Sequence, residues 1–295
     1  MTELTADFPT VAVLGSGTMG AGIAQVFAAS GRNIVVLDTD PQRLEAGLSA
    51  MARFLSKSVS LGKVTEDDKT ALLDRITTTT DTADLAGVDL VMESVTENAE
   101  VKKAILAGVA AVVGPQIPLC TNTSAMSVTD LAAVVPNPGR VAGLHFFNPA
   151  PLMRTVEVVR ALQTEEELID RLVALVDTLE SKVAVVAKDR PGFLINALLM
   201  PYLNDVIQEF DDELASAEDI DIALKLGLGY KTGPLELLDM IGLDVHLHAT
   251  GAAYDATLDD RYAPPPLLRQ MVAAGRLGNK SGRGFRADQP QLKDN

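Results

Sequence analysis

Val11-Ala-Val-Leu-Gly15-Ser-Gly17-Thr18-Met19-Gly20 is the stretch on which the fold turns. An apolar run ends in Gly-x-Gly-x-x-Gly, and a helix-patterned segment, Ala21 to Ala29, follows at once. Each glycine has its own task. Gly15 permits a tight strand-to-helix turn, Gly17 lets the backbone approach a pyrophosphate, and Gly20 lets helix and strand pack closely. Thr18 and Met19 of the same motif are read as cofactor-binding residues, and the first amides of the following helix have no partner within it and so suit an anion. Asp38 closes the next apolar run, Ile34 to Leu37. A carboxylate there can accept hydrogen bonds from the adenosine ribose and would repel a 2′-phosphate, which favours NAD over NADP. Arg32 and Arg43 keep the opposite choice open, since either could reach a 2′-phosphate.

Outward from this turn, short apolar runs recur at Val11 to Leu14, Ile34 to Leu37, Leu90 to Met92, Val141 to Leu144, Val156 to Val159 and Val183 to Val186. Longer helix-patterned segments separate several of them. The alternation predicts an α/β fold of Rossmann type, with a mainly parallel sheet covered on both faces. Thr77 to Thr80 read as a short extended segment. After Lys188 the β-branched runs stop, and Leu194, Ala197, Leu198, Pro201, Tyr202 and Asp205 recur at steps of three and four. Residues 1–188 are therefore expected to form the dinucleotide-binding domain. Residues 189–295 are expected to form an all-α domain that completes a cleft with it. Gly227, Gly229, Gly233, Pro234 and Pro264 to Pro266 divide the second into four helical pieces.

Composition narrows the function. The chain has 295 residues, 25 Lys+Arg against 40 Asp+Glu, and a net charge of −15. Such an excess of acid opposes a general nucleic-acid or anionic-membrane surface, because phosphate is held mainly by neutralising cations. One cysteine, Cys120, forms no internal disulfide and no multi-thiolate zinc site, and His246 and His248, two apart on a helix, face different ways. No metal is expected. The first ten residues carry no apolar targeting segment and no long uncharged apolar run follows, so a soluble, cytoplasmic protein is expected.

His145 ends an apolar run in Gly143-Leu-His145-Phe-Phe-Asn148-Pro149, at a strand end where such sheets bind ligands. Glu157 lies in the following run. If the loop through Pro149 and Pro151 returns the chain antiparallel, imidazole and carboxylate can meet and form a general base for an alcohol proton. The alternative is a satisfied core histidine with Glu157 facing solvent. Thr121-Asn-Thr-Ser124 also follows an apolar run; its hydroxyls could hold a substrate oxygen or cap the helix near Val128. Asn196 is a polar side chain in the apolar helix Phe193 to Met200, either a packing amide or a substrate ligand.

These residues together resemble the short-chain L-3-hydroxyacyl-CoA dehydrogenase family, particularly the bacterial 3-hydroxybutyryl-CoA dehydrogenases. The likeness covers essentially the whole chain: VAVLGSGTMGAGIAQVFA, VVLDTD, ESVTEN, TNTSAMSV, GLHFFNPAPLMRTVEVV, KDRPGFLINALLMPYLNDV, LGLGYKTGPLELLDMIGLDV and GNKSGRGF. GLHFFNP with the distant PGFxxN is its specific part. The resemblance implies an NAD-dependent oxidoreductase of fatty-acid metabolism, of the β-oxidation type, acting on an acyl-CoA. His145 would be the base, Glu157 its partner, Ser124 and Asn196 substrate ligands, and Asn148 a contact to the nicotinamide region. It further implies cofactor roles for Glu97, Lys102 and Lys280. By the residues alone, Glu97 and Lys102 read as a solvated helix start and Lys280 as a flexible basic loop. A homodimer through the helical domain is implied too.

In the animal mitochondrial members the helix after the second strand offers Ser and Lys to CoA; here those spacings fall on Phe54 and Leu61. The CoA contact then shifts to Arg53, Lys57 or Lys63. Arg53 and Lys57, four apart, share a helix face, either as a phosphate site or as two solvated cations. Two rivals remain: a dehydrogenase of a free hydroxy acid, such as the gulonate dehydrogenases related to lambda-crystallin, and a catalytically idle NAD-binding protein.

Overall fold

The computed structural model describes residues 8–286; Met1 to Asp7, on which part of the amino-terminal reading falls, lie outside the described residues. The chain divides into two compact units between Asp189 and Arg190.

The first unit is built on one sheet of eight strands: β1 (Thr10–Leu14), β2 (Asn33–Leu37), β3 (Ile76–Thr79), β4 (Leu90–Glu93), β5 (Leu119–Thr121), β6 (Val141–Phe146), β7 (Thr155–Arg160) and β8 (Val183–Lys188). Their order is β3-β2-β1-β4-β5-β6-β7-β8. Strands β1 to β6 are mutually parallel; β7 pairs antiparallel with β6, and β8 parallel with β7. The helices are α1 (Thr18–Ala29), α2 (Pro41–Ser60), α3 (Glu66–Leu73), α4 (Ala99–Ala110), α5 (Val128–Ala132) and α6 (Glu166–Asp177). The helix expected to open at Ala21 thus starts one turn earlier, inside the glycine motif, because Gly17 is already its N-cap.

Register decides which side chains share a face. Val11, Val13, Met92, Cys120, Leu144 and Phe146 belong to one core cluster with Ile23 and Phe27 of α1 and Leu172 of α6. The opposite face carries the alternate residues. Glu93 is the register partner of Thr121, Thr121 of Gly143, and His145 of Glu157. Side chains alternate with period two, so Gly143 and His145 share a face. Glu93, Thr121, His145 and Glu157 therefore project from one face of the sheet. Except for Glu157, on the strand that runs the other way, they do so at carboxyl-terminal strand ends. The strand order reverses at β1, which lies between β2 and β4, and this is where a parallel sheet opens a crevice.

The second unit contains α7 (Ile195–Asp211), α8 (Ala217–Leu228), α9 (Pro234–Ile241), α10 (Leu243–Thr257) and α11 (Pro266–Ala273). That is five helices among the described residues where four pieces were expected. Gly242, at φ +99, makes the additional break between α9 and α10. Leu203, Ile207, Leu235, Leu238, Leu243 and Leu268 form its core and are fully buried. Pro201 stands inside α7 and cannot donate to the carbonyl of Ala197. The Tyr262 hydroxyl donates to that oxygen instead, at 3.2 Å.

Candidate active site

The glycine turn has the stereochemistry its sequence demands. Gly15 has φ +96, and a Cβ there would lie 2.7 Å from the Ser94 carbonyl oxygen. A Cβ on Gly20 would lie 1.9 Å from the Gly15 oxygen. Gly17 differs. Nothing lies within 4 Å of its Cβ direction, and no side chain caps α1. Gly17 and Thr18 are exposed, while Met19 packs partly against the core. Open space beside uncapped helix amides is the cradle an anionic pyrophosphate needs.

Asp38, at the end of β2, braces the turn. Its Oδ2 accepts from the Ser16 amide at 2.9 Å and the Ser16 hydroxyl at 2.8 Å, and its Oδ1 from the Asp40 amide at 3.3 Å. Burial raises its pKa, but these hydrogen bonds and the charge of Arg43 prevail and hold the carboxyl below its usual range. It remains half-buried. Arg32 is buried, donating to Ser30 and Thr178, which removes it as a nucleotide ligand. Arg43 is exposed, 3.9 Å from Asp40.

On β6 and β7, His145 Nδ1 lies 2.7 Å from Glu157 Oε2. Glu157 is 0 % exposed and His145 5 %, so the reading of Glu157 as solvent-facing is excluded. The antiparallel return makes them register partners, and the loop between contains a cis Asn148-Pro149 bond. That loop is anchored. Lys182, itself buried, donates to the carbonyls of Ala150 at 2.7 Å and Met153 at 2.8 Å, while Gly22 of α1 meets Ala150 and Pro151. Asn148 is exposed at the loop tip.

Beside them lies a cluster that residue reading placed wrongly. Lys102, taken as part of a solvated helix start, is 1 % exposed. Its ammonium pairs with Glu93 at 2.7 Å and Glu97 at 3.1 Å. Burial acts to raise the Glu97 pKa, but Lys102 and hydrogen bonds from Thr123 and Ser124 outweigh it and lower the carboxyl below its usual range. Glu97 Oε1 accepts from the Thr123 hydroxyl and, at 3.0 Å, from the Ser124 amide. Asn122 Oδ1 accepts from the Phe146 amide at 2.8 Å, tying the Ser124 turn to the histidine strand. Capping of α5 falls to Ser127, not to Thr121–Ser124: its hydroxyl accepts from the Asp130 amide at 3.2 Å. Glu93 and Lys182 escaped sequence reasoning; a carboxylate closing the apolar run Leu90 to Met92 was the available signal for the first.

The remaining candidates are Arg53, Lys57, Asn196 and Lys280. Arg53 and Lys57 are both exposed on α2. In the second unit Asn196 is half-buried in the first turn of α7, and Lys280 pairs with Asp244 at 2.5 Å. His246 is buried, its Nε2 3.0 Å from Asn204 Oδ1. Burial pushes the Cys120 thiol up to about 12, so it is no nucleophile. No group of three metal-ligating side chains occurs among the described residues.

The NAD-binding-domain model of 3-hydroxyacyl-CoA dehydrogenase matches residues 10–190, and the model of its C-terminal domain matches residues 192–288. The chain belongs to the 3-hydroxyacyl-CoA dehydrogenase family. This dehydrogenase is 42% identical over 276 residues to the 3-hydroxybutyryl-CoA dehydrogenase of Mycobacterium tuberculosis, covering 93% of this chain and 96% of that one. It is 44% identical over 277 residues to the 3-hydroxyadipyl-CoA dehydrogenase of Escherichia coli K12, covering 93% of this chain but 58% of that longer one. The crystal structure of (S)-3-hydroxybutyryl-CoA dehydrogenase PaaH1 from Ralstonia eutropha superposes with a TM-score of 0.92 at 41% identity, covering 95% of this chain and 98% of that one. The enzyme is an oxidoreductase with an NAD-binding domain, and no helix among the described residues is long and apolar enough to cross a membrane.

Proposed function

We propose that the enzyme interconverts (S)-3-hydroxybutyryl-CoA and acetoacetyl-CoA, with His145 as the proton-transfer group. The observation that carries the reading is the buried His145–Glu157 hydrogen bond, in the same sheet as the open glycine turn. Bound NAD+ supplies the acceptor for the hydride leaving C3. Loss of that hydride turns the alcohol into a ketone only if the hydroxyl proton leaves as well. With Nδ1 carrying its hydrogen toward Glu157, Nε2 is the basic nitrogen and takes that proton. Glu157 then stabilises the imidazolium, and in the reverse direction the same nitrogen returns the proton.

The other roles follow the family resemblance. Ser124 and Asn196 hold the reacting oxygen, and donors so placed act where charge changes in the transition state. Ser124 is suited to this because Glu97 fixes its amide. Gly15, Gly17, Thr18, Met19 and Gly20 receive the pyrophosphate, Asp38 the adenosine ribose and Asn148 the nicotinamide region, while Glu97 and Lys280 are further cofactor ligands. Lys102, fully buried, acts there through Glu97 and not by contact. Arg53 and Lys57 attract the CoA phosphates. Exposed Leu198 and Leu226 of the second unit support a homodimer through that unit. Oxidation of NADH by the purified protein, followed at 340 nm, tests the reading. Turnover with acetoacetyl-CoA and none with free acetoacetate is expected; the reverse preference would assign a free hydroxy acid, and no turnover with either would return the idle reading.

A further inference from the structure

Glu93 has no part in the mechanism above, yet both of its carboxyl oxygens are engaged. It ends β4 and is 0 % exposed. One oxygen accepts from the Val95 amide and the Lys102 ammonium, both at 2.7 Å, and the other from the Thr121 hydroxyl at 2.6 Å. Glu93 is ion-paired with an ammonium that it shares with Glu97. Two carboxylates against one ammonium leave a net charge of −1. The amino end of α4 adds a partial positive charge of roughly half a unit.

Strand order determines what passes over this charge. The glycine turn follows β1, and His145 stands on β6, with β4 and β5 between them. A dinucleotide with its phosphates at the turn and its reacting ring at His145 must cross the carboxyl ends of β4 and β5. The β4 end adjoins the turn directly, since Gly15 faces the Ser94 carbonyl and Val95 Cα. Glu93 and His145 are two strands and two residues apart, which puts their Cα atoms about 12 Å from each other.

We propose that Glu93, through this net negative charge, sets the preference of the site between oxidised and reduced cofactor. The oxidised nicotinamide ring is a cation and the reduced ring is neutral, so a buried anion under the path favours the oxidised form. The inference rests on the dehydrogenase reading, which turnover of the unmutated enzyme tests by itself.

The experiment measures Kd for NAD+ and for NADH, without acyl substrate, by calorimetry. In Glu93→Gln the amide oxygen can still accept from Val95 and Lys102 and the amide nitrogen can reach Thr121, so the shape is kept and the charge is removed. One unit charge at about 12 Å, in an effective dielectric of about 20, corresponds to on the order of tenfold in the ratio Kd(NAD+)/Kd(NADH), which should rise by that factor. Glu93→Asp keeps the charge; its ratio should stay within about twofold of the unmutated enzyme even if both constants worsen. A merely structural role moves both constants together and leaves the ratio unchanged in Glu93→Gln, which would overturn the proposal, as would an equal shift in Glu93→Asp. Should Glu93→Gln fail to fold, Lys102→Gln decides the matter: it removes the ammonium shared by Glu93 and Glu97 and makes the cluster more negative, so the ratio should fall, and an unchanged ratio there refutes the proposal.

Discussion

Replacing Glu157 by Gln leaves the shape of the pair and deletes one charge, which makes it the most informative perturbation of the proposed mechanism. The carboxylate oxygen is 2.7 Å from His145 Nδ1, and Glu157 is fully buried. That places the charge centres about 4 Å apart, worth about 4 kcal/mol at an effective dielectric of about 20 once the imidazolium is complete. The transition state holds only part of that charge, so about 2–4 kcal/mol is lost, roughly 30- to 1,000-fold in kcat. His145→Ala removes the base itself and should cost on the order of 10²–10⁴ in kcat. Both variants should bind NADH nearly as well as the unmutated protein, because the glycine turn and Asp38 are untouched. Steady-state kinetics of acetoacetyl-CoA reduction, with NADH affinity measured separately, supply the numbers. If the pair acts as a unit, the double variant is little slower than His145→Ala alone. Strictly multiplicative losses would show that Glu157 acts independently, and near-normal turnover in His145→Ala would refute the mechanism.

Gly17→Ala and Gly20→Ala should separate binding from folding. The first has room for its Cβ, so thermal stability holds while NADH affinity falls at least tenfold; the second clashes with the Gly15 carbonyl at 1.9 Å and lowers Tm by several degrees. Asp38→Ala should raise the NADH KM and improve NADPH use, measured as the ratio of kcat/KM values; NADPH serving the unmutated protein equally well would refute the role given to Asp38. Replacing Arg53 and Lys57 together by Ala should raise the acetoacetyl-CoA KM and leave the NADH KM unchanged, and added salt should do the same because exposed charges are screened. His246 is buried and its pKa is lowered by that burial to about 4. Below the ordinary histidine value of 6.5 the unfolded chain therefore binds more protons than the folded one. Stability is then complete above pH 6.5 and falls by roughly 3 kcal/mol as pH drops through 4. Urea unfolding of the helical unit between pH 7 and 4 checks this, and His246→Gln should flatten the slope.

Some of this was present in the order of residues alone. A glycine turn is legible because only glycine satisfies φ +96 at Gly15 and the 1.9 Å approach at Gly20, so a backbone requirement is written directly as residue type. The buried strands were legible for a similar reason, since a sheet covered on both faces demands near-continuous apolar runs. The family was legible from motifs spread over the whole chain. The break at Gly242 was missed because a lone glycine between two apolar segments carries no local sign of its conformation. Lys102 was misread because periodicity reports which residues are polar, not whether a polar residue is exposed. Its burial depends on Glu93 and Glu97, and only the placement of the β4 end against α4 brings three charges within 3.1 Å. The His145–Glu157 pair lies between these cases. Both residues stood out in the sequence, but whether they meet depends on strand direction. Only the antiparallel pairing of β6 and β7 makes them register partners, because a parallel β7, or a slip of one residue, would carry the carboxylate to another level or to the opposite face.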